Sequence, residues 1–128
     1  MPALIRKFHE AKINNHSEVV LWGSGEPLRE FLYVDDLAEA ILFSLENDLD
    51  SDLYNVGSSH EISIKELAIM IQQIIGHKGE IIWDNNMPNG TPRKLLDSSK
   101  LLKMGWSHKI DLKTGIKQVY KNYINEVK

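Results

Sequence analysis

A chain of 128 residues, 42% of them hydrophobic, is long enough to bury one modest core, and its net charge of −3 with intermixed signs offers no basic field for DNA or RNA. The absence of cysteine excludes a disulfide framework and thiolate metal sites, and makes a reducing compartment the default. No signal-peptide pattern and no run of about 18 apolar residues is present, so a soluble, cytoplasmic chain is expected.

The elements follow from periodicity and capping signals. Pro2 suits a first helical turn, and Leu4, Ile5, Phe8 and Ala11 share one face, which predicts a helix to about Asn14 with Arg6 and Lys7 on its other side. Val19 to Trp22 is a short apolar run expected to form a buried strand, with Trp22 in the core. Gly23 and Gly25 supply the positive φ of a tight turn, and Pro27 fixes its exit. Phe31 to Val34 predicts a second strand, with Arg29 projecting at its start. A planar five-donor guanidinium there can grip a phosphate in a bidentate way, or it can pair with Glu26 or Glu30. Asp35-Asp36 resembles a carboxylate pair for acid–base chemistry, but helix capping accounts for it better. Leu37, Ala38, Ile41, Leu42 and Leu45 then define a helix ending near Asn47.

Leu53 to Val56 predicts a strand stopped at Gly57. Ser63 and Glu66 form a capping box that starts a helix with the stripe Ile64, Leu67, Ala68, Ile71, Ile74 and Ile75, ended by Gly76. Glu80 to Trp83 predicts a strand, and residues 84–92 a polar loop. Asp97 can cap a short helix through Lys103, with Gly105 as its stop. Asp111 can cap a last helix in which Leu112, Ile116, Val119, Tyr120, Tyr123 and Val127 recur at helical spacing, the tyrosines serving as core or interface. His9, His16, His60, His77 and His108 have no common metal-ligand spacing, so no metal site is expected. Short strands interleaved with helices, without repeats or a low-complexity linker, indicate a mixed α/β (α+β) class with residues 1–128 as one domain.

Several of these segments in order carry a resemblance. Pro2 through Ala11 with Phe8-His9-Glu10-Ala11, Trp22 through Leu37, Tyr54-Asn55-Val56-Gly57, Gly90-Thr91-Pro92-Arg93-Lys94-Leu95-Leu96-Asp97 and Gly105-Trp106 together resemble the C-terminal half of the GDP-L-fucose synthase family. That family lies within the extended short-chain dehydrogenase/reductases, the NAD-dependent epimerase/dehydratase superfamily. The resemblance implies a substrate-binding portion lacking most of a Rossmann domain. It also implies a whole-enzyme chemistry on GDP-4-keto-6-deoxymannose, with epimerisation at the two carbons flanking the ketone followed by reduction with NADPH.

The parts for that chemistry are mostly absent. No G-x-G-x-x-G or G-x-x-G-x-x-G turn occurs. Neither Tyr120, with Ile124 four residues on, nor Tyr54, with Ser58 four residues on, makes the family's Tyr-x-x-x-Lys pair. The family's epimerisation pair is a cysteine and a histidine; cysteine is lacking, and the matching histidine is expected just upstream of Met1. NADP is therefore expected in the full-length enzyme but not on this chain alone, which is expected to be inactive by itself and to carry no catalytic residue.

Residue by residue, the resemblance places Trp22 near the sugar and Arg29 at the diphosphate. Lys7 stands where the family commonly has arginine, and Arg93 and Lys94 stand in an intact Thr-Pro-Arg-Lys. Asn89 replaces the usual aspartate, and Met87 a lysine. The partners implied are a GDP-sugar and, if supplied separately, the dinucleotide-binding half. In the family, the segment around Tyr54 to Val56 and the first helix pack against that half, so self-association is expected of this chain. Two alternatives stay open: a portion of another nucleotide-sugar epimerase or dehydratase, and a non-catalytic sugar-nucleotide binding or partner-docking module.

Overall fold

The computed structural model of the chain describes residues 1–50 and 53–126. Its elements run α1 (Pro2–Ile13), β1 (Glu18–Trp22), β2 (Leu28–Glu30), α2 (Val34–Glu46), β3 (Glu61–Ser63), α3 (Ile64–Ile75), β4 (Glu80–Asp84), β5 (Arg93–Lys94), α4 (Ser99–Lys103) and α5 (Leu112–Glu126), a mixed α/β arrangement.

Where a signal is local, the chain obeys it. At α3 the Ser63 hydroxyl accepts from Glu66 N at 3.1 Å while the Glu66 carboxylate accepts from Ser63 N at 3.0 Å, and Gly76 closes the helix at φ 78°. The apolar stripe of α3 faces inward, with Leu67, Ala68, Ile71 and Ile75 fully buried. Ile5, Phe8 and Ala11 of α1 pack onto it, together with Val19 and Leu21 of β1 and Ile116 of α5. Each fully buried aliphatic or aromatic side chain of this core contributes about 1.5–3 kcal/mol of transfer free energy. At the last helix, Asp111 caps as expected, its carboxylate accepting from Thr114 N at 3.0 Å. Tyr120 and Tyr123 pack against the core, while Val127 lies outside the described residues.

The strands form two small sheets. β1 and β4 are parallel, with Val20 beside Ile82 and Trp22 beside Asp84. The second sheet has the order β3-β2-β5, antiparallel between β2 and β3 and parallel between β2 and β5. A second apolar cluster of Ala40, Leu101 and Trp106, flanked by Leu32, Phe43, Tyr54 and Val56, joins α2 to α4.

Several expectations need correction. Residues 31–33 are not a strand: the ladder of the second sheet uses Leu28–Glu30 instead, so Arg29 sits inside a strand rather than ahead of one. Leu53 to Val56 is irregular chain that packs into the second cluster, because no neighbouring strand offers it a ladder. β1 is half-buried in strict alternation rather than buried throughout, since helices cover only one face of the β1–β4 sheet. Trp22 points away from the core and is 64% exposed.

Asp35 and Asp36 do not cap α2, which starts at Val34 after Tyr33. The buried Asp36 carboxylate instead accepts from Lys109 N at 2.9 Å and Ile110 N at 3.1 Å, tying α2 to the segment ahead of α5. The apolar stripe of α2 forms a helix as expected but is largely bare: Val34, Leu37, Ile41, Leu42 and Leu45 are all exposed, while Asp36, Ala40 and Phe43 turn inward. The uncovered apolar helix face of this chain is therefore on α2 rather than on α1.

Candidate sugar-nucleotide site

The site is built around the turn between β1 and β2. Gly23 N donates to Asp84 O at 2.9 Å, which carries the β1–β4 ladder to the start of the turn. Both glycines have positive φ, 75° at Gly23 and 77° at Gly25. Close approach demands them as well: a Cβ at Gly23 would collide with the Asn89 carboxamide oxygen, and one at Gly25 would lie 2.7 Å from the Trp83 ring. Ser24 fastens the turn to the loop before β5, its backbone N–H donating to Asn89 Oδ1 at 2.7 Å and its hydroxyl reaching the same oxygen at 3.1 Å. Trp83 is a contribution that no sequence pattern marked, and Asn89 stood out only through the resemblance, because the turn they hold is some 60 residues away along the chain.

Arg29 lies on β2 beneath that loop. Its Nη1 donates to Leu28 O at 2.6 Å, and its Nη2 would stand 3.7 Å from a Cβ at Gly90. Neither glutamate foreseen as a partner takes it. Glu30 accepts from Ser59 N at 2.6 Å and Leu96 N at 3.2 Å, while Glu26 receives the Ser24 hydroxyl. Among the described residues Arg29 has no ion pair. Lys94 occupies the matching position on β5, so the two cations share one side of the sheet.

The remaining candidates are placed differently. Arg93 alternates to the opposite side and reaches across β2 to Glu61, Nε to Oε1 at 2.7 Å and Nη2 to Oε2 at 2.6 Å. The guanidinium holds the Glu61 carboxyl below its ordinary range, and Arg93 is held up in turn by the same pair. Lys7, on α1, donates from Nζ to Val20 O at 2.9 Å, two residues before Trp22 and away from the β2–β5 face. The structure thus sets Arg29 beside Gly90 with Lys94 at the matching register position on β5, places Trp22 and Lys7 along β1, and commits Arg93 to a carboxylate.

A dinucleotide does not fit these residues. The glycine turn runs into strand β2 rather than a helix, and its backbone is filled by Asn89 and Trp83. The first N–H groups of α3 are already taken: Ile64 N by Pro27 O, Lys65 N by Gly25 O and Glu66 N by Ser63 Oγ. Among the described residues no group of three or more His, Cys, Asp or Glu is placed to hold a metal ion, and no helix is long and apolar enough to cross a membrane.

The family model of the NAD-dependent epimerase/dehydratases matches residues 1–57. Over 127 residues, 99% of the chain, it is 54% identical to a putative GDP-L-fucose synthase 2 of Arabidopsis thaliana and 52% identical to a probable GDP-L-fucose synthase 1 of Oryza sativa subsp. japonica. The chain belongs to the NAD-dependent epimerase/dehydratase family. Within it, the chain corresponds to the C-terminal part of the GDP-L-fucose synthases and spans 39% of the length of those two relatives. Among solved structures it is similar to MlghC, a GDP-mannoheptose C4 reductase from Campylobacter jejuni with NADP bound. That match has a TM-score of 0.86 and 38% identity, covering 96% of this chain and 44% of that one. This is the fold of the C-terminal portion of extended short-chain dehydrogenase/reductases.

Proposed function

We propose that residues 1–128 form the sugar-nucleotide-binding unit of a GDP-L-fucose-synthase-type enzyme, in which Arg29 grips the substrate diphosphate and Lys94 adds charge beside it. In this reading Trp22 flanks the sugar, and Lys7 supports that flank from α1. The observation that carries the reading is the pair Arg29 and Lys94, at one register position on β2 and β5, without an ion pair among the described residues and with the Arg29 guanidinium beside Gly90. Two adjacent cations without counter-ions repel each other and favour an anionic ligand. Arg93, held by Glu61, becomes a part of the frame rather than a ligand residue.

In the same reading NADP and the catalytic groups belong to the remaining length seen in the relatives. The bare face of α2 supports this division, since it has the character of a surface meant to be covered by another portion of protein. The 128-residue chain alone is then a binding unit without reductase activity. A second reading, another GDP-sugar reductase, is favoured by the similarity to MlghC.

The test is calorimetric titration of GDP and GDP-mannose into the chain. Arg29→Ala should weaken binding by about 1.5–3 kcal/mol, the range for hydrogen bonds to charged groups, and Arg29→Lys should recover part of it. Arg93→Ala should leave affinity within about twofold, a change of less than 0.5 kcal/mol. Equal affinity in the parent and both Arg29 variants would remove Arg29 from the ligand.

A further inference from the structure

Asn89-Gly90 is the one place in the chain where asparagine precedes glycine, and both residues are exposed in the loop ahead of β5. Gly90 carries no Cβ to crowd the approach of its backbone nitrogen to the Asn89 carboxamide carbon, and its N–H has no acceptor among the described residues. The carboxamide oxygen is held. It receives the Ser24 backbone N–H at 2.7 Å and the Ser24 hydroxyl at 3.1 Å, closer than that hydroxyl's 3.3 Å to Glu26. A backbone N–H can only donate, so the oxygen faces the turn, and Nδ2 has no hydrogen-bond partner among the described residues. Asn14, Asn47, Asn55 and Asn86, by contrast, commit that nitrogen to Glu10 O, Phe43 O, Asp97 O and Asp84 Oδ1, and each precedes a residue with a side chain.

We propose that Asn89-Gly90 is a self-modification site, at which the Ser24 donors promote hydrolytic deamidation of the asparagine. In the first step Gly90 N gives its proton to water and bonds to Asn89 Cγ, while an electron pair of the C=O bond moves onto Oδ1. Negative charge therefore develops on the atom that already receives two donors, and hydrogen bonds to a charged oxygen are stronger than those to a neutral one. The Cγ–Nδ2 bond then breaks, Nδ2 takes up a proton and leaves as ammonia, and a cyclic succinimide is left. Water opens that ring at either carbonyl, giving aspartate or its β-linked isomer. One water is consumed and one ammonia released, with nothing oxidised or reduced. The aspartate product adds a negative charge and keeps an oxygen for Ser24. The β-linked product instead turns the carbonyl that met Ser24 into part of the main chain. None of these steps needs a ligand at Arg29.

Incubation of the whole chain at mildly alkaline pH, followed by proteolysis and mass spectrometry, reads the conversion as replacement of an amide by a carboxyl in the peptide holding Asn89. That peptide should convert before those holding the other asparagines, and faster in the folded chain than in the chain unfolded by guanidinium chloride. Ser24→Ala should slow the folded chain by about two- to tenfold, the scale of one hydrogen bond, and leave the unfolded rate unchanged. Asn89→Gln, whose longer side chain closes its ring far more slowly, should keep the peptide unmodified. Folded conversion no faster than unfolded, or a Ser24→Ala rate equal to that of the folded parent, would overturn the promotion by Ser24. The comparison of folded and unfolded parent decides this even where Ser24→Ala loosens the fold. Mass gain confined to other asparagines would overturn the site itself.

Discussion

Arg29 and Lys94 stand at the same register position on the parallel strands β2 and β5, which brings two cations to one side of a three-stranded sheet within about 5 Å at the backbone. Like charges at directly paired positions are destabilising by about 0.2–1 kcal/mol. Lys94→Thr should therefore raise the melting temperature of the free chain slightly while weakening GDP binding. The two effects should both fade as salt screens the pair. A variant that melts lower and binds GDP as well as the parent would mean that Lys94 supports the sheet and does not serve a ligand.

Arg93 and Glu61 behave in the opposite way, as a fork-to-carboxylate pair spanning the sheet. Because the Glu61 carboxyl is lowered in the folded chain, the pair contributes stability above the ordinary carboxylate range, and loses it as the pH falls through the depressed folded value. Urea midpoints of the parent and Glu61→Gln should differ most near neutral pH and converge on acidification. A gap that does not change with pH would assign the loss to packing alone.

Asp36 should matter to stability far more than its neighbour Asp35. Its buried carboxylate satisfies two backbone donors at the head of α5, and removing it leaves both unsatisfied. Asp36→Ala should cost about 2–4 kcal/mol, by the usual penalties for buried donors and charged acceptors. Asp35→Ala should cost under about 1 kcal/mol, the scale of a helix-dipole contact. Chemical denaturation measures both, and equal losses would refute the tether.

The three cases also show what the residue order reveals. The capping box, the apolar stripe and the Gly76 stop of α3 all lie within a few residues of one another, so that helix was legible outright. β2 and β5 were not, because strands of three and two residues exist only through partners that are distant in sequence. Asp36 carried a correct sign of importance with the wrong partner: a local cap and a tether to residue 109 look identical in sequence. Arg29 was legible as a candidate, but its freedom from Glu26 and Glu30 emerged only when the structure gave those carboxylates other donors. Trp22 failed on burial, and the bare face of α2 was not foreseen, for one reason. Periodicity tells which face of an element is apolar, not whether the covering surface belongs to the same chain.

That distinction bears on how the chain behaves in solution. At 100° per residue, Val34, Leu37, Ile41, Leu42 and Leu45 fall within an arc of about 140°, opposite Asp36, Ala40 and Phe43. Such a stripe on a free surface drives association. The chain should self-associate with increasing concentration in size-exclusion light scattering, and the double change Ile41→Glu and Leu45→Lys should keep it monomeric. Because both side chains are already more than half exposed, the monomer should lose no more than about 0.5 kcal/mol of stability. If the doubly substituted chain still associates as the parent does, the contact surface lies elsewhere, and the exposed Val20, Trp22 and Ile82 face of the β1–β4 sheet becomes the place to substitute next. If instead it unfolds, the outer face of α2 is packed in solution, and its exposure no longer argues for a covering portion.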